Sequence, residues 1–267
     1  LALGLSVIFG VARVVNFAHG ELMAAAMYVS VLLFASAGVD PFLAAVPVAL
    51  LFFVFGYIFQ RVVIQPFVTR PDYAQFMLLL AVAVILTSLL LIIFGPDAYS
   101  VRLDYLLEPI EFGALVIDRG KLYAGLVALA AAAALFAFFR LTLTGTAIRG
   151  CADNWLGAKV TGLNVERLYA IAFGLGTACV AVAGCMMILL VDVTPALGPA
   201  YTLLAFVIVI IGGLGSMNGA LAGGMLIGLS EALAGFLVAP SLKNMFSFAL
   251  LILVLLVRPR GLLGDRS

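Results

Sequence analysis

Three side chains able to move a proton or hold a polar solute fall within six residues, Asn16, His19 and Glu21, with Gly20 between the last two and apolar runs on either side. His19 is the single histidine. It reads either as a proton relay or solute contact, or as a histidine hydrogen-bonded at a helix break or cap. A second carboxylate, Glu231, stands twelve residues into an apolar run. A carboxylate there must be paired, protonated or reached by water, so it either fixes helix packing or meets a solute. A third feature is the glycine-rich stretch 212–219, with Gly213, Gly215, Ser216 and Asn218, which splits the apolar residues 201–237 into two short halves. Non-helical backbone at membrane depth survives only where it is buried in protein or lines a water-filled cavity. The start of a broken helix also offers unpaired N–H groups and a positive dipole end to an anion. The candidate translocation pathway is therefore Asn16, His19, Gly20, Glu21, Gly213, Gly215, Ser216, Asn218 and Glu231.

Most catalytic chemistry is excluded by what accompanies these residues. One histidine leaves no HExxH pair and no Ser/His/Asp set, and the sequence has no GxxxxGK[ST] loop. The cysteines, Cys151, Cys179 and Cys185, have neither CxxC nor metal-ligand spacing and read as small apolar fillers. The expectation is a non-catalytic chain with no metal and no cofactor of its own.

The elements that must position these residues follow from composition. Of 267 residues, 66% are apolar and 10% charged, with mean hydropathy +1.28, against about half apolar and a quarter charged in a soluble domain. At about 20 apolar residues per crossing, the chain has room for eight or nine spans and almost nothing else. Apolar runs fall at 1–11, 22–37, 42–59, 76–94, 122–139, 168–191, 203–211, 220–239 and 246–257. The predicted fold class is all-α, a polytopic membrane helix bundle of about eight to nine segments with discontinuous helices, forming one transmembrane domain over 1–267. The run 1–11 is too short to cross alone, which leads us to expect residues before Leu1.

Alternating crossings sort the charges. One side receives ten basic and four acidic residues, among them Arg13, Arg61, Arg140 and Arg258; the other receives four basic and seven acidic, among them Asp40, Asp104, Glu108 and Asp118. That bias makes the first side, with the C-terminus, cytoplasmic, and puts the long acidic loop at about 95–120 outside. Net charge is only +1, which suggests no nucleic-acid partner.

The most informative cytoplasmic stretch is about 141–167. Ile148, Ala152, Trp155 with Leu156, and Lys159 with Val160 recur at helical spacing and predict one short amphipathic helix, with Arg149 and Asp153 paired i to i+4 on its other face. It either docks on a partner protein or lies among the lipid headgroups.

Four motifs in order, Asn16-Phe17-Ala18-His19-Gly20-Glu21, Arg149 to Arg167 with Ala158-x-x-x-Gly162-Leu163-Asn164-x-x-Arg167, Gly212-Gly213-Leu214-Gly215-Ser216-x-x-Gly219-Ala220, and the tail from Ser247 to Arg258-Pro259-x-Gly261, resemble the LivH-type permeases of branched-chain amino-acid ABC importers. The resemblance covers essentially the whole chain and departs at Gly150, where the family has Ala. It implies a bacterial inner-membrane subunit that works with a second related permease, or a like copy, two cytoplasmic ATP-binding subunits that use ATP and Mg, and a periplasmic solute-binding protein. It makes the 141–167 segment a coupling helix on an ATPase, with Arg149, Asp153, Trp155, Leu156, Ala158, Gly162 and Arg167 as coupling residues, and turns the acidic loop toward the binding protein. The expected solutes are branched-chain or other hydrophobic amino acids. Alternatives are urea or short amides in the same family, or a self-contained channel or secondary transporter.

Overall fold

A computed structural model of the chain describes residues 1–68, 70–112, 115–237 and 243–264. Its helices are α1 (Ala2–Ala12), α2 (His19–Ala37), α3 (Pro41–Phe59), α4 (Asp72–Phe94), a single turn α5 (Asp104–Leu107), α6 (Arg119–Leu141), α7 (Leu143–Asp153), α8 (Trp155–Val160), α9 (Val165–Met187), α10 (Gly198–Gly212), α11 (Met217–Leu237) and α12 (Lys243–Val257). Seven of the helical stretches are long and apolar enough to cross a membrane, and α1 and α12 are shorter apolar helices, so the described residues form a polytopic helical bundle. The sequence missed a small hairpin in the loop after α4, where β1 (Ile110–Phe112) pairs antiparallel with β2 (Leu115–Ile117), Ile110 opposite Ile117. Three-residue strands are too short to leave a periodic signal.

Helix starts follow local capping chemistry. Asp40 accepts from the Phe42 amide at 2.9 Å ahead of Pro41 at the first position of α3, and Asp118 accepts from the Lys121 amide at 3.0 Å at the start of α6. At the far end of α3 the chain widens into one π turn (Gln60–Ile64) and a 3-10 turn (Gln65–Phe67) before α4.

The bundle is organised around α9. With no hydrophobic drive between helices in lipid, packing depends on close approach at small residues. A Cβ on Gly174, Gly176 or Gly184 would come within 2.8 Å of the carbonyls of Phe53, Gly4 and Met23, so α9 lets α3, α1 and α2 lie against three parts of its surface. Outward faces stay apolar, with Leu50, Val84 and Leu126 exposed on α3, α4 and α6 as a lipid-facing surface requires.

The connections gather at two ends. At one, Tyr99 and Val193 exchange backbone hydrogen bonds, and Tyr105 donates to Asp40 at 2.5 Å. At the other lie Arg13, Arg140, Arg149 and the turn after α10, lining one cavity.

Two expectations need correction here. The glycine-rich stretch 212–219 does not interrupt one crossing; it is a tight turn between the antiparallel pair α10 and α11, made possible by Gly213 at φ 107° and Gly215 at φ 80°. The single amphipathic helix over 141–167 is two helices, because Asn154 leaves the helical region and caps α8 by accepting from the Gly157 amide at 2.8 Å.

Candidate functional site

The first break in the sequence is a true break at depth. Arg13 ends α1 in the left-handed region at φ 53°, and the next helical residue is His19. The His19 Nε2–H donates to the Leu1 carbonyl at 3.0 Å, at the opposite end of α1 from Arg13. Eleven residues at about 1.5 Å each separate those ends by about 16 Å, so segment 13–18 runs back along α1 as non-helical chain. Beyond the exposed Arg13 it is packed in protein, with Val14, Asn16 and Ala18 buried, Val15 and Phe17 half-buried, and the Phe17 ring against those of Phe76 and Phe206.

The start of α2 is held by one hydroxyl. The Gly20 amide donates to Thr202 Oγ1 at 2.8 Å; the Thr202 hydroxyl lies 3.1 Å from Glu21 Oε2 and 3.3 Å from the Phe17 carbonyl, with one proton to give. A Cβ on Gly20 would collide with the Gly198 carbonyl and with Thr202, so α2 and α10 meet there backbone to backbone. Glu21 is buried, and Asn16 closes the turn by accepting from the Ala18 amide at 3.0 Å. Asn16 Nδ2 and His19 Nδ1 are buried with no hydrogen-bond partner among the described residues. Asn16, His19, Gly20 and Glu21 thus form one polar knot, in which the amide a solute carboxylate would seek at Gly20 is already committed to Thr202.

The remaining pathway candidates lie apart from it. Glu231 on α11 accepts from Ser247 Oγ on α12 at 2.8 Å, which is a helix-to-helix pairing. Ser216 caps α11 by accepting from the Gly219 amide at 3.0 Å. The Gly213 turn is covered by the chain after α12: Leu262 and Leu263 donate backbone N–H groups to the carbonyls of Ile211 and Gly212 at 2.8 and 2.9 Å, and a Cβ on Gly261 would lie 2.6 Å from the Gly213 nitrogen. The last carbonyls of α10 are satisfied in this way. Gly215 and Asn218 line a cavity of about 1000 Å³ at the basic end, which Arg149 and Asp153 of α7 also line.

The α7–α8 pair is half anchored and half free. Ile148 and Cys151 are buried against α1, α6 and α9, Ala158 is buried beside them, and burial pushes the Cys151 thiol above its ordinary pKa. Trp155, Leu156 and Val160 are instead exposed, so the predicted stripe does not share one face. The break at Asn154 rotates α8 relative to α7. The expected Arg149–Asp153 ion pair is absent from the described residues; Arg149 Nη2 lies 3.5 Å from Thr146 Oγ1 instead. Gly162, at φ 87°, ends α8 in a Schellman turn: its amide donates to Lys159 O at 3.1 Å and that of Leu163 to Ala158 O at 3.0 Å. Asn164 then caps α9 by accepting from the Arg167 amide at 3.0 Å.

Sequence reasoning missed Thr202, Arg13 and Arg140 as site residues. Thr202 leaves one faint signal, as the only Ser or Thr in α10, which does not name the groups it bonds. The backbone seal by residues 261–264 carries no side-chain signal.

A bundle of membrane-length helices, a non-helical stretch buried at depth with polar side chains around it, and two short helices with apolar side chains exposed at the basic end define a multi-pass membrane permease. The chain belongs to the family described as branched-chain amino acid transport system / permease component, whose model matches residues 1–255. It is 29% identical to the high-affinity branched-chain amino acid transport system permease protein LivH of Escherichia coli K12, over 99% of this chain and 90% of that one. BraD of Pseudomonas aeruginosa, a permease protein of the same description, is also 29% identical with the same coverage. A probable branched-chain amino acid transport permease LivH of Methanocaldococcus jannaschii is 26% identical over 99% of this chain and 87% of its own length. No solved structure matches the chain.

Proposed function

We propose that this chain is the membrane-spanning, non-catalytic subunit of an ATP-driven importer for branched-chain or other hydrophobic amino acids. The observation that carries the reading is the family match over nearly the whole chain, joined to exposed Trp155 and Leu156 on a short helix pair outside the bundle. In this reading ATP and Mg are used by two cytoplasmic ATP-binding subunits, and a second permease, related or a like copy, completes the pathway. A periplasmic binding protein delivers the solute to the acidic loop 95–120. The subunit sits in the bacterial inner membrane, with the basic end and the C-terminus in the cytoplasm.

Coupling runs through α7 and α8. An ATPase that grips Trp155, Leu156 and Val160 moves α8, and the buried contacts of Ile148 and Cys151 carry that movement into α1, α6 and α9. Asn16, His19, Gly20 and Glu21 form the inner candidate contact with the solute. Gly213, Gly215, Ser216 and Asn218 form the turn at its cytoplasmic exit, and Glu231 braces α11 on α12. Ala158 is buried, so Ala158→Arg would disturb packing as well as docking. The decisive variants are Leu156→Asp and Trp155→Ala. In the reconstituted complex both should lose most of the solute-stimulated ATP hydrolysis while the permease inserts normally. Full stimulation in both would remove the coupling role, and solute movement by the chain alone in liposomes without ATP would remove the importer reading. Wild-type transport by Glu231→Gln would limit Glu231 to helix packing.

A further inference from the structure

The cavity at the basic end has a chemistry of its own. Its α1 wall presents Ser6 and Gly10, one turn apart on one helical face, and Arg13 stands just past the end of that helix. From Arg13 at the end of α1 back to Ser6 is seven residues, about 10 Å. Around it stand Arg140 at the end of α6 and Arg149 and Asp153 on α7. Three guanidinium groups face one carboxylate, and among the described residues none of the four is in an ion pair. Further in, Ser6 Oγ is closed off from the cavity and has no hydrogen-bond partner among the described residues. A fork of guanidinium donors suits a carboxylate, and three such groups around one space argue against an acyl chain filling it.

We propose that this cavity is a cytoplasm-open carboxylate site on the exit side of the pathway, in which Arg13, Arg140 and Arg149 hold the departing solute by its carboxylate. This rests on the importer reading and deepens it. The wall that carries Arg149 is α7, which the ATPase would move, so the site changes shape with each coupling stroke. A site that holds the product on its way out also binds it from the cytoplasm. Intracellular hydrophobic amino acid therefore slows its own import, and it does so through its carboxylate.

The test uses the complete transporter in proteoliposomes, with ATP inside and radiolabelled leucine and binding protein outside. Uptake into vesicles with no internal leucine tests the importer reading itself; no ATP-dependent uptake of any amino acid sinks that reading. Given uptake, vesicles are loaded with leucine, with 4-methylpentanoate, which keeps the carboxylate, or with 3-methylbutylamine, which keeps only the amine. The first two should slow the initial rate and the amine should not. In Arg13→Gln and in Arg140→Gln the internal leucine needed for half-inhibition should rise about tenfold, the worth of one charge-assisted contact, and Arg13→Lys should recover part of it. Equal inhibition in wild type and both Gln variants, or an amine as effective as the acid, overturns the proposal. So does loss of the ATPase subunits from purified Gln variants, which would assign the arginines to carboxylates of that partner.

Discussion

Thr202 ties together the two stretches of chain that meet at the start of α2. Its hydroxyl accepts the Gly20 amide and shares one proton between Glu21 and the Phe17 carbonyl. Thr202→Val keeps the shape and removes every one of these bonds, leaving buried polar groups unpaired at a cost of about 1–3 kcal/mol each. The variant should unfold at a visibly lower temperature in detergent, and Thr202→Ser should restore most of the loss; equal melting of Val and wild type would show that the knot carries no stability. Tyr105 gives a second residue-scale outcome. Burial and the hydrogen bond to Asp40 push its phenol above the ordinary value of 10. Because the folded value is raised, the stabilising contribution is complete below about pH 10 and is lost as pH rises through the raised value. Protection of the 99–108 loop from protease should stay level from pH 6 to about 9 and fall only in strong alkali, while Tyr105→Phe should lose it at every pH. The polar knot was legible in the sequence because Asn16, His19 and Glu21 stand out between apolar runs. Its partner was not, since a threonine inside an apolar helix is indistinguishable from one that bonds its own backbone.

At the scale of elements, the instructive positions are those where a helix ends. The apolar spacing from Ile148 to Val160 suits one helix, yet Asn154 and Gly157 also form a cap signal, and the cap wins because an Asn side chain competes with the helical ladder for the next amides. The short polar-faced segment was therefore legible in the sequence but its bend was not, and the bend is what leaves Trp155 and Leu156 exposed. The turn at Gly213 shows the opposite limit. Its glycines mark a break, but whether that break interrupts one crossing or joins two depends on residues 261–264, which close it by backbone bonds alone. Gly261 lies at φ 80° against the Gly213 backbone, so a branched side chain is excluded by both conformation and space. Gly261→Val should detach the tail and free the α10 carbonyls. Limited proteolysis after α12 should become faster, with transport falling in step; unchanged cleavage would show that the seal is not needed to hold the end of α12.

At the scale of the whole molecule, the division into two ends makes a claim about sidedness that neither composition nor packing makes alone. The charge count distinguishes the two sides of the membrane, but it assigns each loop only by assuming that every apolar run crosses once. The structure supplies the grouping independently, bringing Arg13, Arg140, Arg149 and Leu214 to one cavity and Asp40, Tyr105, Glu108 and Arg119 to the other end through side-chain contacts. Since Arg13, Arg140 and Arg149 share one end and Asp40 and Glu108 the other, the positive-inside rule predicts a single orientation for the whole bundle. Single cysteines at Leu143, Leu214 and Leu263, all exposed, should therefore react with a membrane-impermeant thiol reagent in inside-out vesicles and not in intact spheroplasts, and cysteines at Asp104 and Glu108 should do the reverse. Background from the native thiols is small at Cys151 and Cys185, which are buried, and the Cys151 thiol, held above its ordinary pKa by burial, stays protonated at neutral pH. Because the five positions are tied by the fold, they must switch together. A split result, with Leu214 reacting from the opposite side to Leu143, would break the two-ended architecture itself, whereas a uniform reversal would leave the fold intact and invert only its orientation.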